Sequence, residues 1–275
     1  MTKLITMAIA LAVGTVLFWT LERLWPAVRD QNRLRTGRRT DIAYYFLNGT
    51  ITKLASGVFV AVVAIIAARA VGMSITVDQM RGLAERDTFV ARQPLFIQAI
   101  ELIVIADFIG YWMHRTFHFQ PTLWRYHAVH HSSRQVDWLA SVRVHPFNDV
   151  VTNTAQALPL LLLGFSGATL GGYAVLLAIL AVLLHANVPW TWGPFKRVIA
   201  SPVFHRWHHT TEKQGIDKNF AGLLPLWDMV FGTYYMPEGE QPMEFGILGE
   251  KVPDGIWRQL LYPLRPGQTL IEKAA

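Results

Sequence analysis

Long apolar stretches separated by short polar segments dominate the first two thirds of the chain. Residues 4–21 contain no charged side chain, and about 20 apolar residues suffice to cross the hydrocarbon core of a bilayer. Comparable stretches occur at about 51–71 and at about 94–113. The pattern predicts three membrane-spanning helices here. We expect the first to be retained rather than cleaved as a signal peptide, because no small-residue cleavage site follows it.

Polar residues within and after these stretches refine the prediction. Glu101 and Asp107 lie inside the third span, and acidic side chains at that depth face the protein interior rather than lipid. Residues 150–195 contain no Asp, Glu, Lys or Arg, which predicts two short spans joined by a glycine-rich turn at 164–172. From residue 196 onward the chain is polar, aromatic and interrupted by Pro and Gly, as expected of a folded cap. The predicted fold is an all-α integral membrane helical bundle of four to five spans.

Arginines indicate how this bundle is oriented. The loop between the first two spans carries Arg23, Arg29, Arg33, Arg35, Arg38 and Arg39, and loops rich in Arg and Lys stay on the cytoplasmic side. Counting the spans onward from this loop places every histidine-rich segment on the same face. We therefore expect a multi-pass membrane protein with a cytoplasmic, histidine-rich cap.

Composition agrees with a membrane location. Apolar residue types supply 52% of the chain and charged types 16%, against roughly 25% charged residues in soluble domains. The net charge of +6 comes from basic residues placed between apolar segments, where we expect them to contact anionic lipid headgroups or to set the topology rather than to bind nucleic acid. The absence of cysteine excludes disulfide bonds, thiolate-bound zinc, iron–sulfur clusters and a cysteine nucleophile.

Histidine carries the candidate chemistry. All ten histidines lie between residues 114 and 209. They form three boxes, H-R-T-F-H at 114–118, H-A-V-H-H at 127–131 and H-R-W-H-H at 205–209, with His145 and His185 outside them. Spacings of three and four residues place imidazoles on one face of a helix. Because imidazole is a common ligand for iron, zinc and copper, the boxes indicate a metal site.

The number of histidines indicates two metal ions rather than one. The three boxes supply eight side chains and His185 a ninth, enough for two ions with open coordination positions. The boxes contain no carboxylate, unlike the Glu-x-x-His ligands of soluble di-iron bundles and the H-E-x-x-H motif of zinc proteases. His145 on its own fits a structural role as well as a ligand role. Asp107 is a candidate to orient a ligand imidazole, although helix capping or a salt bridge explains it equally well.

Seven short segments contain these histidines or follow them along the chain. They are D-F-I-G-Y-W-M-H-R-T-F-H (107–118), L-W-R-Y-H-A-V-H-H-S-S (123–133), R-V-H-P (143–146), H-A-N-V (185–188), S-P-V-F-H-R-W-H-H (201–209), N-F-A-G (219–222) and W-D-M-V-F-G-T (227–233). Together they closely resemble the fatty acid hydroxylase / sterol desaturase superfamily. The resemblance covers about residues 100–235 without large gaps, and its box spacings are highly specific.

The resemblance implies a membrane di-iron oxygenase, active on the cytoplasmic side, that hydroxylates or desaturates a lipid. Carried over position by position, the metal ligands would be His114, His118, His127, His130, His131, His185, His205, His208 and His209. His145 would be a ligand or lie directly behind the ligands, and Asp228 would support one of them. Some relatives have another histidine four residues after the position of His185. That residue is Pro189 here, so Asn187 or water would complete the shell of that metal.

The implied cofactor is a pair of iron ions, with zinc as an alternative occupant of the isolated protein and O2 as co-substrate. The expected partners are a membrane lipid as substrate and an external electron donor, namely a ferredoxin, a cytochrome or a reductase. An external donor is expected because the sequence shows no Rossmann fingerprint, flavin motif or H-P-G-G haem-binding segment. We predict three parts: membrane helices and a basic loop at 1–92, a fatty acid hydroxylase-like catalytic domain at 93–235, and a cytoplasmic tail at 236–275.

Two other classes of function fit the boxes. A zinc-dependent membrane lipid hydrolase would use the same ligands without redox chemistry, because the boxes do not separate zinc from iron. A non-enzymatic metal transporter or bis-histidine haem electron carrier is the second alternative. A transporter places its ligands along its spans near the bilayer midplane, whereas these boxes cluster at one end of the predicted spans.

Overall fold

The regular secondary structure is helical. The computed structural model describes residues 1–32, 34–70, 87–249 and 251–265, with the isolated positions 72, 76 and 79. Among these residues there is no β-strand, only an isolated bridge between Thr210 and Phe245. The α-helices of the described chain are α1 Thr2–Leu24, α2 Arg38–Leu47, α3 Lys53–Ala70, α4 Phe89–Arg92, α5 Leu95–Phe119, α6 Pro121–His131, α7 Pro146–Leu163, α8 Gly167–His185, α9 Pro202–His208, α10 Leu226–Val230 and α11 Ile256–Leu261. The prediction of an all-α fold is confirmed.

Four helical segments of the described chain are long and apolar enough to cross a membrane. They are Thr2–Leu24, Arg38–Ala70, Leu95–Phe119 and Gly167–His185, as expected of a multi-pass membrane protein. Helix α7 forms a hairpin with α8 but is not among them, because its first two turns carry Asn148, Asp149 and Asn153. The spans alternate in direction, so the ends of α1, α5 and α8 meet the starts of α2 and α7 at one end of the bundle.

Several predicted boundaries were wrong, each for a local reason. The turn predicted at 164–172 spans only 164–166, because the Ser166 side chain accepts a hydrogen bond from Thr169 N and starts α8 at Gly167. Gly164 ends α7 in a left-handed conformation (φ +95°). The third span continues to Phe119 instead of ending near 113, since the next proline is Pro121. His114 and His118 therefore lie on the last turns of a spanning helix.

The second span begins at Arg38 rather than near 51, and a π-helical turn at Asn48–Thr52 interrupts it between α2 and α3. At this turn the Asn48 side-chain amide donates to the carbonyls of Val142 and Val144, at 3.1 and 3.0 Å. Such turns often occur at functional sites because they redirect a side chain without ending the helix. Here the turn holds the loop that contains Arg143. Val71, the predicted end of this span, lies outside the described residues.

Four buried apolar clusters connect the helices. One joins α5, α7 and α8 through Leu102, Leu160 and Tyr173. A second packs α5 and α8 against α9 and the loop at Phe220. The other two lie at the end of the bundle where α1 and α2 meet the short helices. One packs on α1 and contains Trp138, Leu139, Ala186 and Val188. The other joins α2 and α6 to the C-terminal segment and contains Tyr44, Ala128, Val129, Val252 and Tyr262.

The C-terminal segment packs against the rest of the chain where it is described. Val252 and Tyr262 belong to the same cluster as Tyr44 of α2, and α6 contacts the turn at Tyr262–Leu264. The proposed division into 1–92, 93–235 and 236–275 stays a prediction, and residues 250 and 266–275 lie outside the described chain.

A buried ion-pair network fixes the loop between α1 and α2 to the end of the bundle that holds the histidines. Arg35 Nη2 lies 2.6 Å from both Asp41 Oδ2 and Asp137 Oδ1, and Arg143 Nε lies 2.5 Å from Asp41 Oδ1. All four side chains are at most 9% exposed. The described arginine-rich loop and the histidine boxes are therefore at the same end. Arg33, also assigned to this loop, is outside the described residues.

Asp41 is expected to be the most sensitive member of this network. Asp41→Ala leaves two buried guanidinium groups without a shared carboxylate, and removing one partner of a buried ion pair costs about 3–5 kcal/mol. Thermal unfolding in detergent should show a clearly lower midpoint than wild type. Glu238→Ala, which removes the exposed partner of Lys196, should leave the midpoint unchanged because solvent screens that pair. Equal midpoints for the two variants would contradict the proposed role of Asp41.

Candidate metal centre

The ends of two spanning helices and two short helices with defined starts position the histidines of both groups. His114 and His118 lie on the last two turns of α5, and His185 is the last residue of α8. Pro121 and Pro202 occupy the first turns of α6 and α9, where a missing backbone N–H costs nothing. The Ser201 hydroxyl caps α9 by accepting from Phe204 N at 3.1 Å. These local features bring all three boxes to one end of the bundle.

The structure sorts nine histidines into two groups. His114, His118, His127, His131 and His208 form a group of five, and His130, His185, His205 and His209 form a group of four. Within each group, one ring nitrogen per residue lies within 4.8 Å of all the others. The two groups are adjacent: the His131 and His209 rings stack with centroids 4.4 Å apart. These are the same nine residues that the resemblance implies as ligands.

In the group of five, the Nε2 atoms face inward. His127 Nε2 lies 3.0 Å from His114 Nε2 and 3.1 Å from His131 Nε2. The Nε2 atom of His208 is buried and has no hydrogen-bond partner among the described residues. The Nδ1 atoms face outward: His114 donates to Phe220 O at 2.8 Å and His208 to Lys218 O at 2.8 Å. The rings of His114 and His208 are thus held from behind while their other nitrogens point at a common centre.

The group of four repeats this arrangement. His185 Nε2 lies 3.2 Å from His130 Nε2 and 3.1 Å from His205 Nε2, and His205 Nε2 lies 3.1 Å from His209 Nε2. Behind the rings, His130 Nδ1 donates to Arg143 O at 3.1 Å and His185 Nδ1 donates to Ala181 O at 2.7 Å. A metal held by imidazole at about 2 Å brings neighbouring ligand nitrogens to about 3 Å from one another.

The chemistry of these contacts fits a cation. Carbonyl oxygens only accept hydrogen bonds, so His130 and His185 both carry their proton on Nδ1. Their Nε2 atoms then have no proton to share across the 3.2 Å that separates them. Protonating both nitrogens is disfavoured, because burial lowers the pKa of His130 well below its ordinary value. Two lone pairs face each other, and a metal ion between them removes the conflict.

Burial keeps the other imidazoles of α6 and α9, and that of His209 directly after α9, neutral as well. It is the largest cause that lowers the pKa of His127, His131, His205, His208 and His209 well below the ordinary value. Neighbouring imidazoles lower it further, because two adjacent imidazolium ions repel each other. A neutral imidazole is the form that binds a metal.

One loop holds three of the five rings in the larger group. Asp217 Oδ1 lies 3.1 Å from His118 Nδ1, and the next residues supply the Lys218 and Phe220 carbonyls that orient His208 and His114. Asp217 and Asn219 have positive φ angles of 54° and 59°, which few residues other than glycine adopt readily. This strain turns successive acceptors of the loop toward the histidines.

Three polar side chains hold this loop in place. Asp228 accepts from Phe220 N at 2.8 Å, Ala221 N at 2.9 Å and the Thr233 hydroxyl at 2.7 Å. Asp107 accepts from Leu223 N and Leu224 N, both at 2.8 Å. The Asn219 amide donates to Phe204 O at 2.8 Å. Asp107 and Asp228 therefore act on the histidines through the loop backbone. In the described part of the chain, neither carboxylate contacts an imidazole.

Two candidate residues are not brought into either histidine group. Both polar atoms of the Asn187 side chain pair with the backbone of Val28, at 2.9 and 3.0 Å. Asn187 thus fixes the α1–α2 loop, so its amide is already used. His145 caps α7 by accepting from Phe147 N at 3.1 Å, and its Nε2 donates to Leu260 O at 3.2 Å. Its ring is occupied at both nitrogens, which favours the structural interpretation of this residue.

Sequence analysis missed several residues that support the rings or the loops beside them. Asn148, on the first turn of α7, accepts from His127 Nδ1 at 2.8 Å. Asp217 contacts His118, and Arg143 holds His130 through its main chain. Glu22 of α1 accepts from Trp138 N at 3.0 Å and Asn187 N at 2.9 Å. An acidic residue at the end of an apolar span, as at Glu22, is the one pattern in this set that sequence analysis can detect.

A cavity of about 250 Å³ opens beside the histidines, between α5, α7 and α8. His114, His127, His130, His185 and His205 line one end of it, so residues of both groups face the same space. Phe117, Leu177 and Leu184 contribute apolar walls, and Thr152 and Gln156 of α7 add polar atoms. The cavity runs from the histidines into the membrane-spanning part of the bundle.

The segment that contains both histidine groups matches a known protein family. A family model described as fatty acid hydroxylase matches residues 99–233, which contain every histidine of both groups. Through residues 99–233, this chain belongs to the fatty acid hydroxylase superfamily. The sequence-based identification of the family is confirmed. No solved structure matches the chain.

Curated relatives resemble the chain over part of their length. An ornithine lipid hydroxylase from Rhizobium tropici is 32% identical over 170 residues, which is 62% of this chain and 51% of that protein. An alkylglycerol monooxygenase from Homo sapiens is 34% identical over 46% of this chain and 28% of its own length. A very-long-chain aldehyde decarbonylase from Oryza sativa is 32% identical over 46% of this chain and 21% of its length. The chain spans about half or less of each.

Proposed function

We propose that the chain is a membrane-bound di-iron oxygenase that oxidises a C–H bond of a lipid with O2. The observation that carries the proposal is the His130–His185 pair, two neutral imidazoles whose proton-free Nε2 atoms face each other at 3.2 Å. A second, adjacent group repeats the arrangement. Two metal sites in one buried pocket suit a reaction that divides the electrons of oxygen reduction between two ions.

The proposed ligands are the five and four histidines of the two groups, and His145 and Asn187 are not among them. Both groups offer nitrogen only, without the thiolate ligands of structural zinc sites. Iron bound there would supply O2 activation when reduced. The protein itself contributes fixed ring orientations, through the Phe220, Lys218, Arg143 and Ala181 carbonyls, and a pocket from which bulk water is excluded.

A lipid substrate is supported by the position of the cavity. It lies between the spanning helices α5 and α8 and the helix α7, and it has mainly apolar walls next to the histidines, so a lipid chain from the bilayer can enter without crossing water. The printed names of the relatives include a lipid hydroxylase and an alkylglycerol monooxygenase. We propose hydroxylation or desaturation, since both begin with removal of a hydrogen atom from carbon.

Electrons are proposed to come from an external donor, a ferredoxin, a cytochrome or a reductase. The described connection between α1 and α2 carries Arg29 and Arg35, with Arg23, Arg38 and Arg39 on the adjoining helix ends. It lies at the histidine end, where Val28 contacts Asn187 and Arg35 contacts Asp137. Loops of this composition remain cytoplasmic. We therefore propose that the histidines lie on the cytoplasmic side, accessible to a soluble donor.

Labelled oxygen tests this function. Protein purified in mild detergent and loaded with ferrous iron is supplied with membrane lipid extract, a ferredoxin–reductase pair, NADPH and heavy-isotope O2. We expect lipid products that carry the label for hydroxylation, or lipids that lack two hydrogens for desaturation, only in the presence of iron and electrons. Product formation under nitrogen, with zinc in place of iron, would refute the oxygenase and indicate a lipid hydrolase. A strong visible haem band would instead indicate an electron carrier.

A further inference from the structure

A second cavity lies in the membrane-spanning part of the bundle, farther from the histidines. It has a volume of about 480 Å³ and lies between the first halves of α5 and α8. Leu95, Ala99 and Ile103 line one wall, and Thr169, Gly172 and Leu176 line the other. Its walls are mainly apolar and several of them face outward, since Leu95 is 69% exposed and Leu176 38% exposed. We call this cavity the distal groove.

Tyr173 separates the distal groove from the cavity beside the histidines. It is the residue that lines both spaces. Its side chain is nine-tenths buried (9% exposed), and its hydroxyl has no hydrogen-bond partner among the described residues. A buried hydroxyl without a partner costs free energy unless something completes its hydrogen bond. At the junction between the two cavities, the described chain therefore supplies no hydrogen-bond partner for the Tyr173 hydroxyl.

The lining of the two spaces winds along both helices. On α8, Thr169, Tyr173, Leu177, Ala181 and His185 recur every four residues, and each position lies about 40° around the helix from the one before it. On α5, the lining runs from Leu95 of the distal groove to His114 of the cavity beside the histidines. The two spaces therefore follow one another along the spans and meet at Tyr173, which lines both.

Distance along the helix indicates what fits there. Tyr173 precedes His185 by twelve residues, or about 18 Å at the rise of an α-helix. The hydrocarbon core of a bilayer is about 30 Å thick, so its midplane lies about 15 Å from either face. With His185, the last residue of the span Gly167–His185, placed at the edge of the hydrocarbon core, the distal groove begins beyond the midplane as seen from the histidines. A lipid anchored at the histidine end reaches it only with a long chain.

We infer that the distal groove binds the far end of a long alkyl chain whose near end lies at the histidines, with Tyr173 at the junction. This rests on the proposed function, because it assigns the lipid of that reaction to the long-chain class. An alkyl chain matches the apolar walls and gains the free energy of burying its methylenes. An oxygen atom carried by the lipid, or a water beside it, would complete the bond of the Tyr173 hydroxyl.

Two adjacent glycines allow a matched test. Gly172 lines the distal groove and Gly171 does not. A Cβ added at either position meets no atom within 4 Å, and neither has a positive φ. Gly172→Phe should therefore fill the groove, and Gly171→Phe should place the same ring on the same helix outside it. Both variants should fold, since replacing a glycine in a helix interior removes a residue of low helix propensity.

Photo-crosslinking reports occupancy without requiring turnover. Metal-loaded full-length protein in lipid nanodiscs is mixed with a glycerolipid that carries a diazirine at the end of either a long or a short alkyl chain, irradiated and mapped by peptide mass spectrometry. We expect the long probe to label 95–103 and 168–176 in wild type and Gly171→Phe, with loss of this label in Gly172→Phe. The short probe should label only residues beside the histidines, equally in all three proteins.

Two results would overturn the inference: labelling of the groove by the short probe as strongly as by the long one, or labelling by the long probe that Gly172→Phe and Gly171→Phe reduce equally. These outcomes are separate from those of the proposed function. Binding of the alkyl chain in the distal groove can fail while the oxygen label still enters a lipid. Conversely, the oxygen chemistry can fail while the long probe still occupies the groove.

Discussion

Metal content should fall to near zero when His130 and His131 are both replaced by alanine. His130 belongs to the group of four and His131 to the group of five, so the double variant removes one ligand from each proposed site. Wild-type protein from iron-supplemented cells should contain nearly two metal ions per chain. Losing a ligand opens each shell and also leaves neighbouring lone pairs, such as His185 Nε2, without a partner. Elemental analysis of both purified proteins gives the result directly, and the labelled-oxygen product should disappear with the metal.

His145→Ala is the matched control. It removes a histidine of the same region whose ring nitrogens are used for capping α7 and for the bond to Leu260 O. It should cost about 1 kcal/mol of stability as a lost helix cap while metal content stays at the wild-type value. No metal in either wild type or the double variant would refute the metal centre and return the histidines to a structural role. Two zinc ions in wild type would keep the site but leave the redox proposal to the labelled-oxygen test.

Sequence analysis identified the nine clustered histidines but not how they divide. On a helix, residues i and i+4 are about 40° apart and residues i and i+3 about 60° apart on the other side. In the box at 127–131 the i, i+4 pair, His127 and His131, belongs to the group of five while His130 turns to the other group. The box at 205–209 does the reverse, with His208 alone in the group of five. Which pair faces which group depends on how α6 and α9 pack, and spacing alone does not fix that.

The supports behind the rings were harder to predict, for a physical reason. Four of the nine rings are held by main-chain carbonyls, at Phe220, Lys218, Arg143 and Ala181. Every residue has such a carbonyl, so no residue type marks them. For Asp107 the sequence left open whether it orients an imidazole, caps a helix or forms a salt bridge; in the structure it accepts hydrogen bonds from the backbone N–H groups of Leu223 and Leu224. The spans were easier, because their apolar length is a property of the sequence itself, although helix caps such as Ser166 moved their boundaries.

Asp228→Asn should weaken metal binding although Asp228 contacts no metal-binding nitrogen. The carboxylate accepts from two backbone N–H groups, Phe220 and Ala221, and from the Thr233 hydroxyl. An amide of the same size must turn an NH2 group toward one of these donors, which displaces the loop and the Phe220 carbonyl that orients His114. Removing a partner that orients a ligand typically reduces metal affinity about 10–100-fold. Competition with a chelator of known affinity measures the change.

Asp107→Asn separates orientation of the ligand from general damage to the loop. Asp107 is also buried and also accepts two backbone N–H bonds from this loop, but Leu223 and Leu224 hold no imidazole among the described contacts. Both variants should lower the unfolding midpoint of the metal-free protein, because each places an amide against buried donors. Only Asp228→Asn should lower metal affinity by the larger factor, and ferrous-site spectra should change in that variant alone. Equal losses of affinity would mean that the loop matters only for stability, and that the Phe220 carbonyl does not set the orientation of His114.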